Sequence, residues 1–472
     1  MKENNNNRLF LVLSVIISLF FVTTCSQEQG KIETEKFVQN DSTIKQEVKY
    51  TLKKNILDTW FPRIIDEENG GFYTQFNYKW ELDSAYPKMI VSQARDLWVA
   101  SLAAQKYPDR SKFSEAAHHG FKFLKNRMWD EKYGGFYFIL PTSEEKKESV
   151  IKRAYGNAFA ILGLSGYYSL TKNEEAKDLA IKAFRWMEEN LYDSTYGGYY
   201  DKATRKGISY ANKRSDGSVG LLEDIGTAKY KDFNSTINIL TAFPYLYRIW
   251  KDKTLEKRLT ELFHIVRDTM TNDKGYLNTY FEKDWELISL KDSSDQYIKN
   301  NYSMDNISFG SNIETAFILL EAGDVLGLNN KETHKTAKSL VDHTLQYGFD
   351  DNYAGIYYTG YHFKGDPKPT VLEDRKSWWC QAEGLRSLLL HSYLYSNNDE
   401  YKTAFYRLWD YTKNYIIDQK YGGWYHNGID VEGYDKKQQK ASKWKSCFHT
   451  FRTLEYMLRM LDSGEPVIGL TY

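Results

Sequence analysis

The chain has 472 residues, enough for two or three ordinary domains or one large one. Its 63 Lys and Arg balance 63 Asp and Glu, which excludes the basic field that nucleic-acid binding requires. Aromatic residues make up 16%, with 38 Tyr and 12 Trp. Such rings fill helix cores, and in a groove they stack on the C–H faces of sugars.

At the N-terminus, Lys2 and Arg8 flank an Asn run, and residues 9–22 are apolar. That run is shorter than the about 20 residues a membrane-spanning helix needs, and matches the core of an export signal. It ends in Val22-Thr23-Thr24-Cys25. This resembles the lipobox of bacterial lipoproteins, whose cysteine is diacylated and becomes the mature N-terminus. The resemblance implies a signal peptide over 1–25, lipidation at Cys25, and an exported protein held at the membrane, periplasmic or on the cell surface. Residues 26–41 are polar and read as a flexible tether. Cys380 and Cys447 alone cannot make a disulfide framework, and no Cys/His spacing suits zinc. The nine His are scattered, so no metal is expected.

A turn motif then recurs six times. Gly70-Gly71-Phe72-Tyr73, Gly134-Gly135-Phe136-Tyr137, Gly197-Gly198-Tyr199-Tyr200 and Gly422-Gly423-Trp424-Tyr425 are intact, and Gly275-Tyr276 and Ala354-Gly355-Ile356-Tyr357-Tyr358 are degenerate. Helical periodicity lies on both sides of each turn. Before the turns it predicts helices near 43–61, 111–129, 173–191, 254–272, 331–347 and 399–418. After them it predicts helices near 87–106, 153–171, 234–252, 308–327, 376–397 and 445–462. Six helical hairpins of this period form an array that can close on itself. The expectation is an all-α (α/α)6 toroid, one domain over 42–465, with 205–232 and 280–307 as long loops over one mouth.

The second helix of each hairpin is apolar nearly all round, as an inner ring requires. Each nevertheless opens on polar residues: Gln93 and Arg95; Arg153, Tyr155 and Asn157; Asn234 and Asn238; Ser311, Asn312 and Glu314; Trp378, Trp379, Gln381 and Glu383; Trp444, Lys445, His449 and Arg452. Six parallel inner helices would bring these starts to one rim, forming a concave ligand pocket. Buried charge is costly unless paired, and so many charges exceed what helix capping needs.

Three segments carry a resemblance to the N-acylglucosamine 2-epimerase family. Gln93-Ala94-Arg95-Asp96-Leu97-Trp98 resembles its first inner-helix motif, Trp378-Trp379-Cys380-Gln381-Ala382-Glu383 its Trp-Trp-x-Gln-Ala-Glu segment, and Trp444 to Arg452 its final motif. The resemblance implies that Arg95 holds the sugar oxygen at the reacting carbon and that His449 is a general acid/base. Glu314 then orients partners, with Trp378, Trp379, Gln381, Glu383, Asn157, Asn234, Asn238, Ser311, Lys445 and Arg452 holding substrate. Two departures stand out. The family's Gly-His-x-Ile-Glu is Gly310-Ser311-Asn312-Ile313-Glu314 here, and its Asn-Thr-His-x-His is Asn234-Ser235-Thr236-Ile237-Asn238.

The expected function is an exported carbohydrate epimerase or isomerase that removes a proton beside a carbonyl of a mono- or oligosaccharide, without nicotinamide or ATP. A glycoside hydrolase or polysaccharide lyase on the same ring, using Glu314 and Glu383, is the alternative; a non-catalytic sugar-binding protein is another. Nothing in the pattern specifies an oligomer.

Overall fold

The computed structural model describes residues 40–83, 87–140, 150–212 and 227–469. Cys25, the expected export signal and all but the last two residues of the expected tether lie outside the described residues. One compact unit begins at Asp41.

Six outer helices carry one apolar face each. They are α1 (Asp41–Tyr50, continued by Thr51–Leu57 and Asp58–Trp60), α3 (Ser111–Phe123, continued by Leu124–Met128), α5 (Glu174–Asn190), α7 (Lys253–His264, continued by Ile265–Met270), α10 (Lys331–Tyr347) and α12 (Asp399–Tyr411, continued by Thr412–Ile416). The local logic is plain in α7. Asp252 accepts from the backbone N–H groups of Thr254 and Leu255, capping the helix, and Leu255, Leu259, Leu262 and Phe263 face inward. Several outer helices widen at their C-terminal end, where the N–H of Trp129, Thr271 or Ile417 bonds the carbonyl five residues back. That wider bond unwinds the helix into the extended residue entering the turn.

The inner helices are α2 (Ile90–Lys106), α4 (Ala154–Thr171), α6 (Phe233–Ile249), α9 (Phe309–Leu326), α11 (Trp378–Leu394) and α13 (Phe448–Ser463). Each is buried along most of its length and on every side, as their apolar composition predicts. Neighbours in this order pack on one another, and α13 packs back on α2 and α1. The ring is closed, so no repeat is left with an uncovered face, and the (α/α)6 toroid expected from the repeat is the fold. All twelve predicted helices are present. A short extra helix, α8 (Asp295–Asn301), lies in the predicted loop 280–307.

Short strands stand just ahead of the inner helices. β1 (Lys152–Arg153) pairs with β2 (Lys202–Ala203), and β3 (Lys231–Asp232) with β4 (Tyr280–Phe281). β5 (Ile307–Ser308) pairs with β6 (Thr359–Tyr361), which pairs with β7 (Thr370–Glu373). Part of the predicted loop 205–232 falls outside the described residues; its end forms β3.

The glycine turns are built alike. In the second, the Asp130 carbonyl accepts from Gly134 N–H at 2.8 Å, the Asp130 N–H donates to Gly135 O at 3.0 Å, and Trp129 bridges Phe136. A lysine ahead of the next inner helix then ties the turn aspartate: Lys88–Asp66, Lys152–Asp130, Lys231–Asp193, Lys376–Asp350 and Lys440–Asp418, at 2.5–2.9 Å and largely out of water. The fourth turn has Asn272 in that place, bonded to Asn278. An aromatic ring is packed against most turns. A Cβ on Gly135, whose φ is +70°, would sit 2.6 Å from Trp186, so both the backbone and the ring demand glycine. Gly327 has the same left-handed φ of +69° with open space around it. Gly327→Ala is therefore expected to cost about 1 kcal/mol, and Gly135→Ala about 2–4 kcal/mol, because strain and overpacking add. Denaturant unfolding of the two variants checks this; equal costs would contradict the ring's role.

Candidate active site

Strands lead directly into α4, α6 and α9, and the N-terminal ends of the inner helices meet around one rim, where a cavity of about 520 Å³ opens. Its wall is formed by Arg95 of α2, Tyr155 of α4, Asn234 and Asn238 of α6, Ser311 and Glu314 of α9, Trp378 and Trp379 of α11, and His449 of α13. All of these stand at the polar helix starts singled out in the sequence. They meet in one place although more than 350 positions separate Arg95 from His449.

Directly beneath the wall lies a buried ionic cluster. Glu383, fully excluded from solvent, accepts from His449 Nδ1 at 2.6 Å, from Arg452 Nη2 at 2.7 Å, and from Arg386. Arg452 Nη2 also donates to Glu314 at 2.8 Å. Burial works to raise Glu383, but Arg386, Arg452 and the His449 bond outweigh it and hold the carboxyl below its ordinary range. Glu314 shifts upward, through burial and the repulsion of Glu383. Burial brings His449 down to about 4 against the opposing pull of Glu383. The ring is therefore neutral at neutral pH. With Nδ1–H given to an ionised carboxylate, Nε2 carries the lone pair on a ring that lines the cavity.

Arg95 is the other polar anchor. Its guanidinium donates to the Tyr155 hydroxyl at 3.2 Å and the Trp444 carbonyl at 3.4 Å. It lies 4.2 Å over the Phe159 ring and 5.3 Å over Phe448. Among the described residues it meets no carboxylate within ion-pair distance, and its buried Nε has no partner. A cation stacked on rings and left without an anion is suited to a developing oxyanion.

Five predicted residues stand off the wall. Glu383 and Arg452 form the layer beneath it. Asn157, Gln381 and Lys445, expected to hold substrate, instead face the glycine turns. Asn157 accepts from Phe136 N–H, Gln381 both accepts from and donates to Ile356, and Lys445 Nζ donates to the Trp424 carbonyl at 2.7 Å. Gln93 and Asn312 do the same for Phe72 and Leu277. The reason is backbone satisfaction: each turn presents buried peptide groups that need a partner, and a polar residue at the helix start supplies it.

The cavity also holds Phe233, Ser308, Tyr358, Arg375, Ser377, His426, Ser442 and Trp444. Of these, Trp444 and Tyr358 belonged to motifs that stood out in the sequence. Phe233 opens α6, His426 follows the last glycine turn, and the others sit in strands and turns just ahead of inner helices, positions marked only by their place in the repeat. Glu314, Glu383 and His449 offer donor atoms within 4.8 Å of one another, a set able to hold a metal ion. Chain spacing hid this set. The Arg452 guanidinium already binds both carboxylates, supplying the positive charge a metal would bring.

Residues 71–453 match the family model of N-acylglucosamine 2-epimerase (GlcNAc 2-epimerase). A cellobiose 2-epimerase from Bacteroides fragilis is 27% identical, over 87% of this chain and 98% of that protein. A D-mannose isomerase from Marinomonas mediterranea is 23% identical, over 85% and 94% respectively. The structure of a cellobiose 2-epimerase from Bacillus thermoamylovorans superposes with a TM-score of 0.74 at 24% identity, covering 89% of this chain and all of that one. With a family model spanning most of its length, this chain belongs to the N-acylglucosamine 2-epimerase family and to the class of sugar epimerases and isomerases.

Proposed function

We propose that the protein is an exported sugar epimerase or isomerase, lipid-anchored through Cys25, in which His449 removes the C2 proton of an open-chain mono- or oligosaccharide. The observation that carries this reading is the His449–Glu383 pair, set in the same cavity as an Arg95 that meets no carboxylate. His449 Nε2 takes the C2 proton while the carbonyl oxygen gathers charge against Arg95. Glu383 fixes the tautomer and stabilises the imidazolium that forms. Arg452 holds Glu383 and Glu314 in register. Trp378 and Trp379 offer faces for sugar rings, and Asn234, Asn238 and Ser311 offer hydrogen bonds to hydroxyls. Cellobiose and D-mannose, the sugars in the names of the relatives, are the first substrates to try.

A hydrolase needs two carboxyls on either side of the scissile bond. Glu314 and Glu383 share one guanidinium, and Glu383 lies behind the wall, away from any bound sugar. This arrangement favours proton abstraction over hydrolysis.

Incubation with cellobiose or D-mannose in deuterium oxide is expected to place deuterium at C2 of recovered sugar or to yield deuterated product. His449→Asn should slow this by about 10²–10⁴-fold. Release of a reducing end without exchange, or an ultraviolet-absorbing unsaturated product, would establish the alternative chemistries. An unaffected His449→Asn would remove the ring from the reaction.

The pH dependence follows from the protonation state. Only the neutral ring accepts a proton, and its pKa lies at about 4. The rate, as kcat/KM, is therefore expected to be level toward neutrality and to fall tenfold per unit as pH drops below about 4. An acid limb near 6.5, the ordinary histidine value, would show that the ring is not desolvated. Glu383→Gln removes the charge that favours the imidazolium, and should lower kcat by about 10²-fold or more with KM little changed.

The export reading has its own check. Cys25→Ser is expected to abolish labelling by radioactive palmitate and to release the protein from the membrane fraction; undiminished labelling would contradict it.

A further inference from the structure

Epimerisation at C2 needs a proton taken from one face of the sugar and another delivered to the opposite face. The order of the inner helices shows which groups could do so. Around the closed ring α2, α4, α6, α9, α11 and α13 follow one another, so α13, which carries His449, stands opposite α6. The facing wall consists of Asn234 and Asn238 of α6 with Ser308 and Ser311 at the start of α9. Asn238 donates to the Asn234 carbonyl at 2.7 Å, and the Ser308 hydroxyl donates to Ser311 at 2.8 Å. Amides and hydroxyls of this kind bind a sugar but neither take nor give a proton near neutral pH.

Other ionisable groups on the cavity do not serve that face. His426 meets Trp378 of α11 edge-on, with ring centres 4.4 Å apart; α11 is the neighbour of α13, so His426 stands on the His449 side. Burial and the nearby charges of Lys445 and Arg375 also keep it from protonating. Glu314 is bound to Arg452. The Tyr155 phenol accepts from Arg95, and burial raises it above its ordinary value. Arg375 is paired with Glu373 and lies 3.5 Å over the ring of Tyr358, a phenol that meets Trp379 of α11 edge-on and is raised above its ordinary value by burial.

We infer that proton transfer in this site is confined to one face of the sugar, and that the enzyme converts an aldose to the corresponding 2-ketose rather than to its C2 epimer. This rests on the reading of His449 as the base. The C2–H bond breaks as its proton passes to His449 Nε2. The electron pair forms the C1–C2 double bond, and the C1 carbonyl electrons move to O1, giving a cis-enediolate beside Arg95. The O2 proton passes to the adjacent O1. His449 then returns its proton to C1 on the face from which it came, the double-bond pair forms the new C1–H bond, and O2 becomes the carbonyl. Atoms and charge balance without any co-reactant.

Cellobiose and D-mannose, each deuterated at C2, are incubated in ordinary water and the products resolved by NMR. The expected result is a ketose that retains part of the deuterium at C1, with the C2 epimer forming about 10²-fold more slowly or less, the deficit of one general acid. An epimer formed as fast as the ketose, or a ketose with no deuterium at C1, overturns the inference. Loss of C2 deuterium with neither product favoured overturns the one-face inference alone, because the C2–H bond still breaks; recovery of both sugars unreacted, with all their deuterium at C2, tells against the proton-abstraction reading itself. In a second arm, Ser311→His places an imidazole on the far side of the cavity and should raise the ratio of epimer to ketose by at least about 10-fold; an unchanged ratio in a folded, active variant counts against the one-face account.

Discussion

The site depends on one buried carboxylate. Glu383 has no contact with water, a position that would be strongly unfavourable for an ion without partners. It is held there by Arg386 from its own helix and by Arg452 and His449 from α13. Arg452 reaches on to Glu314 of α9. Three inner helices are thereby tied at the depth where the sugar would meet them, and the geometry of His449 follows from that tie. Two glutamates and two arginines offset one another, so the imidazole is left neutral and aimed.

The rest of the molecule makes that tie possible. A closed ring of helices has no loose end at which the cluster could open. The first, second, fifth and sixth glycine turns are clamped three ways, by an aspartate–lysine pair, an aromatic ring and a polar residue at the next helix start. These contacts fix where the inner helices that follow them begin. The chemistry is carried by those beginnings, within the first two turns of each helix, where the side chains are buried and tied. This is the support that a proton-transfer site needs, since small displacements of a base cost rate steeply.

The helices and the ring were legible because apolar periodicity and glycine turns are local signals repeated six times. Arg95, Glu314 and His449 were legible because charges opening an apolar helix are costly to bury, and packing does not require them. Asn157, Gln381 and Lys445 carried the same signal and do different work, since a helix start faces both the cavity and the preceding turn, and spacing alone does not tell which. The Lys–Asp ties left no local trace, because each joins residues about 20 or more apart with no periodicity between them. Arg386 was hidden inside an apolar stretch of α11, and His426 behind a turn motif marked chiefly by its glycines. The proximity of Glu314, Glu383 and His449 is a product of ring closure, and no stretch of chain displays it.

The central claim concerns the state of one ring, and ¹⁵N NMR of the His449 imidazole tests it directly. The account predicts the tautomer protonated at Nδ1, with an unprotonated Nε2, persisting from neutrality down to a midpoint at about pH 4. A ring protonated at Nε2, or one that titrates near the ordinary histidine value of about 6.5, would contradict it.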